Sequence, residues 1–139
     1  MKFILLDDIL EQTPDRIVVL KQVSLAEEYL ADHFPTFPVM PGVLMIETMV
    51  QAARRMLGDR GDARLVLGEV KALKFGSMVR PGETLEVEVT LLKSLEDGSY
   101  ACKGIGRVRR IRSEENETSL PTGETAVSGR FTMRPIRKG

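Results

Sequence analysis

The chain has 139 residues, with 20 Lys and Arg side chains balancing 20 Asp and Glu, one His, one Cys and no Trp. That length suits a single domain spanning 1–139 and is too short for two, while the balanced charge supplies no global field that would favour nucleic acid or an anionic membrane. Cys102 has no second cysteine for an intrachain disulfide, and one His with one Cys leaves no metal-ligand cluster, so no metal is expected.

At the front, Phe3, Ile4, Leu5 and Leu6 give way at once to Asp7 and Asp8, far short of a signal-peptide core or a membrane span. A cytoplasmic protein is the expectation. Residues 3–10 and 16–23 are apolar-rich runs flanking Gln12, Thr13, Pro14 and Asp15, which predicts a β-hairpin. Residues 34–42 follow with Pro35, Pro38 and Pro41, each fixing its own φ and pushing its predecessor toward extended geometry. A rigid, non-helical lead-in is predicted there.

Over 43–57 the apolar positions Val43, Leu44, Met45, Ile46, Met49, Val50, Ala52, Ala53, Met56 and Leu57 cover nearly the whole circumference of a helix. Such a helix belongs inside. Gly58 to Asp62 give stop and loop signals, after which strands are predicted over 64–75, 84–93 and 99–111, with turns at 80–83 and 96–98. Residues 113–123 are polar and read as a loop, and a last strand is expected over 125–133. One buried helix with five or six mostly sequential strands implies an α+β domain in which a single antiparallel sheet curls around the helix.

Few residues in this pattern can do chemistry. His33 is the only imidazole, which makes it either an ordinary loop histidine or the sole candidate for a histidine general base. Glu47 is the one charge between Pro41 and Arg54. It is either wetted near the helix start, with the Arg54 side as partner, or held in a pocket where it can donate a proton. Gly42 precedes the helix, where a missing Cβ admits a ligand to the backbone and the first helical N–H groups lack partners. Those groups can polarise a thioester carbonyl, although Gly is also ordinary punctuation at such a place. Gln51 stands one turn after Glu47 and can either orient its carboxylate or satisfy a buried contact. Arg107, Arg109, Arg110 and Arg112 form a basic run that would suit either an acidic carrier protein or a solvated strand end, the latter being the better reading. Cys102, mid-strand and without a second His to activate it, reads as structural.

The stretch His33-Phe34-Pro35-Thr36-Phe37-Pro38-Val39-Met40-Pro41-Gly42-Val43-Leu44-Met45-Ile46-Glu47-Thr48-Met49-Val50-Gln51 resembles the FabZ type of 3-hydroxyacyl-acyl carrier protein dehydratase. Lys74-Phe75 followed by Arg80-Pro81-Gly82-Glu83 resembles that family's second signature. The resemblance implies a hotdog fold and a cofactor-free lyase acting on a phosphopantetheine thioester carried by acyl carrier protein or coenzyme A, in fatty-acid or related lipid or polyketide biosynthesis. It also implies a homodimer with shared active sites, family members often assembling further as trimers of dimers. His33 would take the C2 proton and Glu47 would protonate the departing C3 hydroxyl. Gly42 and Val43 would bind the carbonyl oxygen, Gln51 would support Glu47, and Phe75 and Met78 would line the acyl tunnel. A hotdog thioesterase or a non-catalytic acyl-binding subunit are the alternative readings. The chain departs from the family pattern at Asp32 and Thr36, where glycines are usual, and its 113–123 loop looks longer. Its start also lacks the family's usual N-terminal extension.

Overall fold

The computed structural model describes residues 7–23, 42–58, 64–80, 82–109 and 124–136. Strands β1 (Asp8–Gln12) and β2 (Arg16–Gln22) form the expected hairpin, paired antiparallel with a bulge between Ile9 and Glu11. Its turn is tied by the Thr13 N–H donating to the Arg16 carbonyl at 2.8 Å and the Asp15 N–H donating to Thr13 Oγ1 at 3.3 Å. Helix α1 (Gly42–Leu57) follows, then β3 (Leu65–Phe75), β4 (Thr84–Ser94), β5 (Tyr100–Arg109) and β6 (Glu124–Pro135). All match the expected segments to within about two residues, except that β1 starts later than expected and residues 110–111 lie outside the described residues.

The strands make one six-stranded sheet in the order β1-β2-β4-β5-β6-β3, and each neighbouring pair is antiparallel. Strand alternation divides its side chains cleanly. Ile17 and Val19 of β2, Leu85, Val87 and Val89 of β4, Cys102 and Val108 of β5, and Val127, Phe131 and Met133 of β6 are buried on the inner face. Against that face lies α1, touching β2, β3, β4, β5 and β6 through Met45, Met49, Ala52, Ala53 and Met56. Gly104 permits the close approach, because the Met49 thioether occupies the space that a Cβ at 104 would need. Fully burying side chains such as Met49 or Leu85 contributes about 1.5–3 kcal/mol each. One sheet closed over one helix is the hotdog arrangement that the sequence implied.

The helix is not enclosed all round, as its apolar content had suggested. At about 100° per residue, Met45, Thr48, Met49, Val50, Ala52, Ala53, Met56 and Leu57 form a buried arc against the sheet. Val43, Leu44, Glu47, Gln51, Arg54 and Arg55 fill the opposite arc, where every side chain is exposed or half-buried. The sheet covers only the side of α1 that it packs against, and the chain's own described strands leave the other side open.

Candidate active site

The open arc of α1 holds three of the residues singled out from the sequence. Val43 is 69% exposed, while Glu47 and Gln51 are half-buried, and the three stand at successive turns of one helix face. Gln51 Nε2 donates to Glu47 Oε1 at 3.4 Å, a long contact that points the amide at the carboxylate. Arg54 does not bond to Glu47 in the hydrogen bond that fixes its side chain: Nε donates to the Leu65 carbonyl at 3.0 Å, tying the last turn of α1 to the start of β3. This leaves Gln51 as the neighbour that orients Glu47.

Gly42 is the first residue of α1 itself, one position later in structure than punctuation ahead of the helix would place it. No acidic side chain occupies the first turn, whereas Arg54 and Arg55 stand in the last turn, where cations suit the helix dipole. The first-turn N–H groups are thus not capped by a carboxylate of their own turn, which keeps that positive end suited to an incoming oxygen. Phe75, at the end of β3, lies directly over this point. A Cβ at position 42 would stand 2.7 Å from Phe75 Cε1 and 2.8 Å from Cζ, so the ring can rest there only because residue 42 is glycine.

Beyond Phe75 the chain runs beside β6, with the Gly76 N–H donating to the Ala126 carbonyl at 2.8 Å and the Ser77 N–H to the Thr125 carbonyl at 2.9 Å. Phe75 and Met78 remain 54% and 52% exposed. Two large apolar side chains left open, with exposed Val43, make an apolar margin around the helix start. His33 and Pro41 lie outside the described residues, as do Asp32 and Thr36. The contact of Phe75 with Gly42 is what the sequence could not display, since β3 brings it there from more than thirty residues away.

Other candidates resolve differently. Arg107 lies 3.8 Å from Glu88 and Arg109 pairs with Glu86, so these two members of the basic run are strand residues neutralised by β4, and Arg110 and Arg112 lie outside the described residues. Cys102 is buried on the inner face, in keeping with a structural part. Among the described residues, no three His, Cys, Asp or Glu side chains are grouped to hold a metal, and no helix is long and apolar enough to cross a membrane.

The family model of the ApeI dehydratase, ApeI-like, matches residues 10–112, which include α1 with Gly42, Glu47 and Gln51 and the end of β3 with Phe75. The chain belongs to the ApeI-like dehydratase family. Relatives named 3-hydroxyacyl-[acyl-carrier-protein] dehydratase FabZ support the same assignment. The one from Ruminiclostridium cellulolyticum is 38% identical over 117 residues, covering 73% of this chain and 82% of its own. That from Magnetococcus marinus is 36% identical over 134 residues, covering 83% and 87%. The match to the Solibacter usitatus protein, 40% identical over 95 residues, spans 66% of this chain and 59% of that relative's length. Among solved structures, the dehydratase heterocomplex ApeI:P from Xenorhabdus doucetiae shares the fold, with a TM-score of 0.68 at 16% identity over 96% of this chain and 99% of that one. A Streptococcus mutans protein bound to acetyl CoA shares it too, with a TM-score of 0.67 at 11% identity over 94% and 89%. Membership of this dehydratase family agrees with the lyase class expected from the sequence, and these neighbours agree with the hotdog fold.

Proposed function

We propose that this ApeI-like dehydratase removes water from 3-hydroxyacyl thioesters borne on acyl carrier protein, in fatty-acid or a related lipid or polyketide synthesis, at the open arc of α1. The observation that carries the reading is the stripe formed by Val43, Glu47 and Gln51, left uncovered beside a glycine-started helix end over which Phe75 lies. An inward-facing core needs no carboxylate there, whereas a dehydratase needs a proton donor next to a carbonyl site.

In the proposed mechanism, the thioester oxygen lies against the Gly42 and Val43 N–H groups. His33 takes the C2 proton as the C2–H electrons become the C2=C3 double bond. The C3–O bond breaks, and the leaving hydroxyl departs as water with a proton from Glu47. His33 then returns its proton through solvent to Glu47, so atoms and charge balance and no cofactor takes part. Gln51 holds the Glu47 carboxyl in place, and Phe75 and Met78 flank the acyl chain. The whole chain, 1–139, works as one hotdog unit in the cytoplasm.

The exposed arc calls for a covering partner, and a second copy supplying His33 to this Glu47 is the proposed one, giving a homodimer. The Xenorhabdus structure is a heterocomplex, which makes a different subunit the competing partner. Native mass of the purified chain distinguishes them, because a stable monomer that dimerises only with another chain would remove the self-paired site.

Purified protein incubated with 3-hydroxyacyl and 2-enoyl thioesters should interconvert them without releasing free thiol. Thiol release without interconversion would assign the site to a thioesterase instead. His33→Ala should abolish turnover while leaving the assembly intact, and an active His33→Ala variant would remove the histidine from this mechanism.

A further inference from the structure

The outer face of the sheet carries a charge pattern that neither the fold nor the site uses. Arg130 of β6 is paired in register with Lys103 of β5 on one side and Lys71 of β3 on the other, so three cations stand directly opposite one another across three strands. All three are exposed. Lys74, also exposed, faces Ser128 in an adjoining part of the same face. Like charges directly opposed across strands cost stability, and such a row is unexpected without compensation.

The face offers little compensation. Glu69 lies 3.7 Å from Lys71, with both side chains more than 60% exposed. Glu86 and Glu88 of β4 are already engaged, the first by Arg109 and the second by Arg16 and Arg107, while Glu11 also holds Arg16. Among the described residues, Lys103, Arg130 and Lys74 have no ion pair. A second copy of the chain laid on this face would present acids that are already paired. The complementary charge must therefore come from a different molecule.

Spacing narrows the choice. Neighbouring strands stand ~4.8 Å apart, so the three cations are spaced along a line crossing the strands by nearly the ~5.4 Å pitch of an α-helix. A helix with acidic residues at i, i+4 and i+7, laid across the strands, would meet each cation with one carboxylate. We propose that Lys103, Arg130 and Lys71 dock an acidic helix of the carrier protein that delivers the acyl group. This rests on the carrier-bound reading above. Lys71 and Lys74 belong to the same strand as Phe75, so a carrier seated on the row stands at the sheet edge from which Phe75 reaches α1.

The test separates docking from chemistry. Binding of a holo-acyl carrier protein to full-length chain bearing Glu47→Gln should weaken about tenfold or more when Lys103→Glu and Arg130→Glu are combined, and should weaken with added salt in the unreversed chain. In the otherwise native chain, the same reversals should raise KM for acyl groups on the carrier while leaving turnover of the same acyl group on pantetheine unchanged. Carrier binding that is indifferent to the reversals overturns the proposal. So does an equal loss on both substrates, or a row that binds short duplex DNA or phosphatidylglycerol vesicles more tightly than the carrier. Charge-dependent carrier binding without any dehydration would keep the docking row and sink the dehydratase reading, whereas dehydration of pantetheine thioesters with charge-independent carrier binding would do the reverse.

Discussion

The two sides of α1 obey different rules although they belong to one sixteen-residue helix. On the buried side, Met45, Met49, Ala52, Ala53 and Met56 alternate large and small against the sheet, and the neighbouring Thr48 settles its hydroxyl on the Leu44 carbonyl at 2.8 Å. On the open side, Val43, Glu47 and Gln51 make no demand on the core. Volume governs the first side, whereas polarity and access govern the second. Substitutions should therefore separate cleanly, stability responding on the buried arc and activity on the open one.

Met49→Ala should have the largest effect on stability, about 2–5 kcal/mol, because it opens a cavity between α1 and β5. Denaturant unfolding checks this, and a loss under about 1 kcal/mol would mean the core collapses around the gap. Gly104→Ala attacks the same contact from the sheet: the new methyl meets the Met49 thioether, with the Phe131 ring 3.3 Å away, and overpacking should cost about 1–3 kcal/mol.

The strands, the helix and the hairpin were all legible in the sequence because their cues are local: β-branched runs, prolines, and Gly82 and Gly98, which the structure places at φ +88° and +87° in turns. The open arc was not legible. Apolar side chains surround the helix in sequence, and only the sheet's reach decides which of them it covers. Glu47 and Gln51 stood out as polar exceptions, but the contact of Phe75 with Gly42 depends on β3 crossing to the far edge beside β6. The cation row depends likewise on the register of β3, β6 and β5, which joins residues distant in the chain. The arginine run was visible for the opposite reason, being contiguous, yet Arg107 and Arg109 are neutralised by β4.

Crossing to the open arc, Gly42→Ala should lower kcat/KM about tenfold by forcing the Phe75 ring off the helix start, equivalent to ~1.4 kcal/mol. Stability should hold or rise, since Ala is favoured over Gly in a helix by ~1 kcal/mol. Adding Phe75→Leu should return part of the activity if the ring is the obstacle, and a Gly42→Ala variant with full activity would detach this contact from the site. Gln51→Ala should be the mildest change, lowering kcat a few-fold, as expected for one long hydrogen bond worth about 0.5–1.5 kcal/mol. Its unfolding midpoint should barely move.

Glu47→Gln decides between the two arcs most directly, with enoyl thioester hydration and denaturant unfolding measured on the same preparation. Loss of a positioned acid should lower turnover by about 10²–10⁴-fold, with the unfolding midpoint within error of the parent chain. Turnover that survives the substitution, or turnover and stability that fall together, would contradict the assignment of the open arc to catalysis.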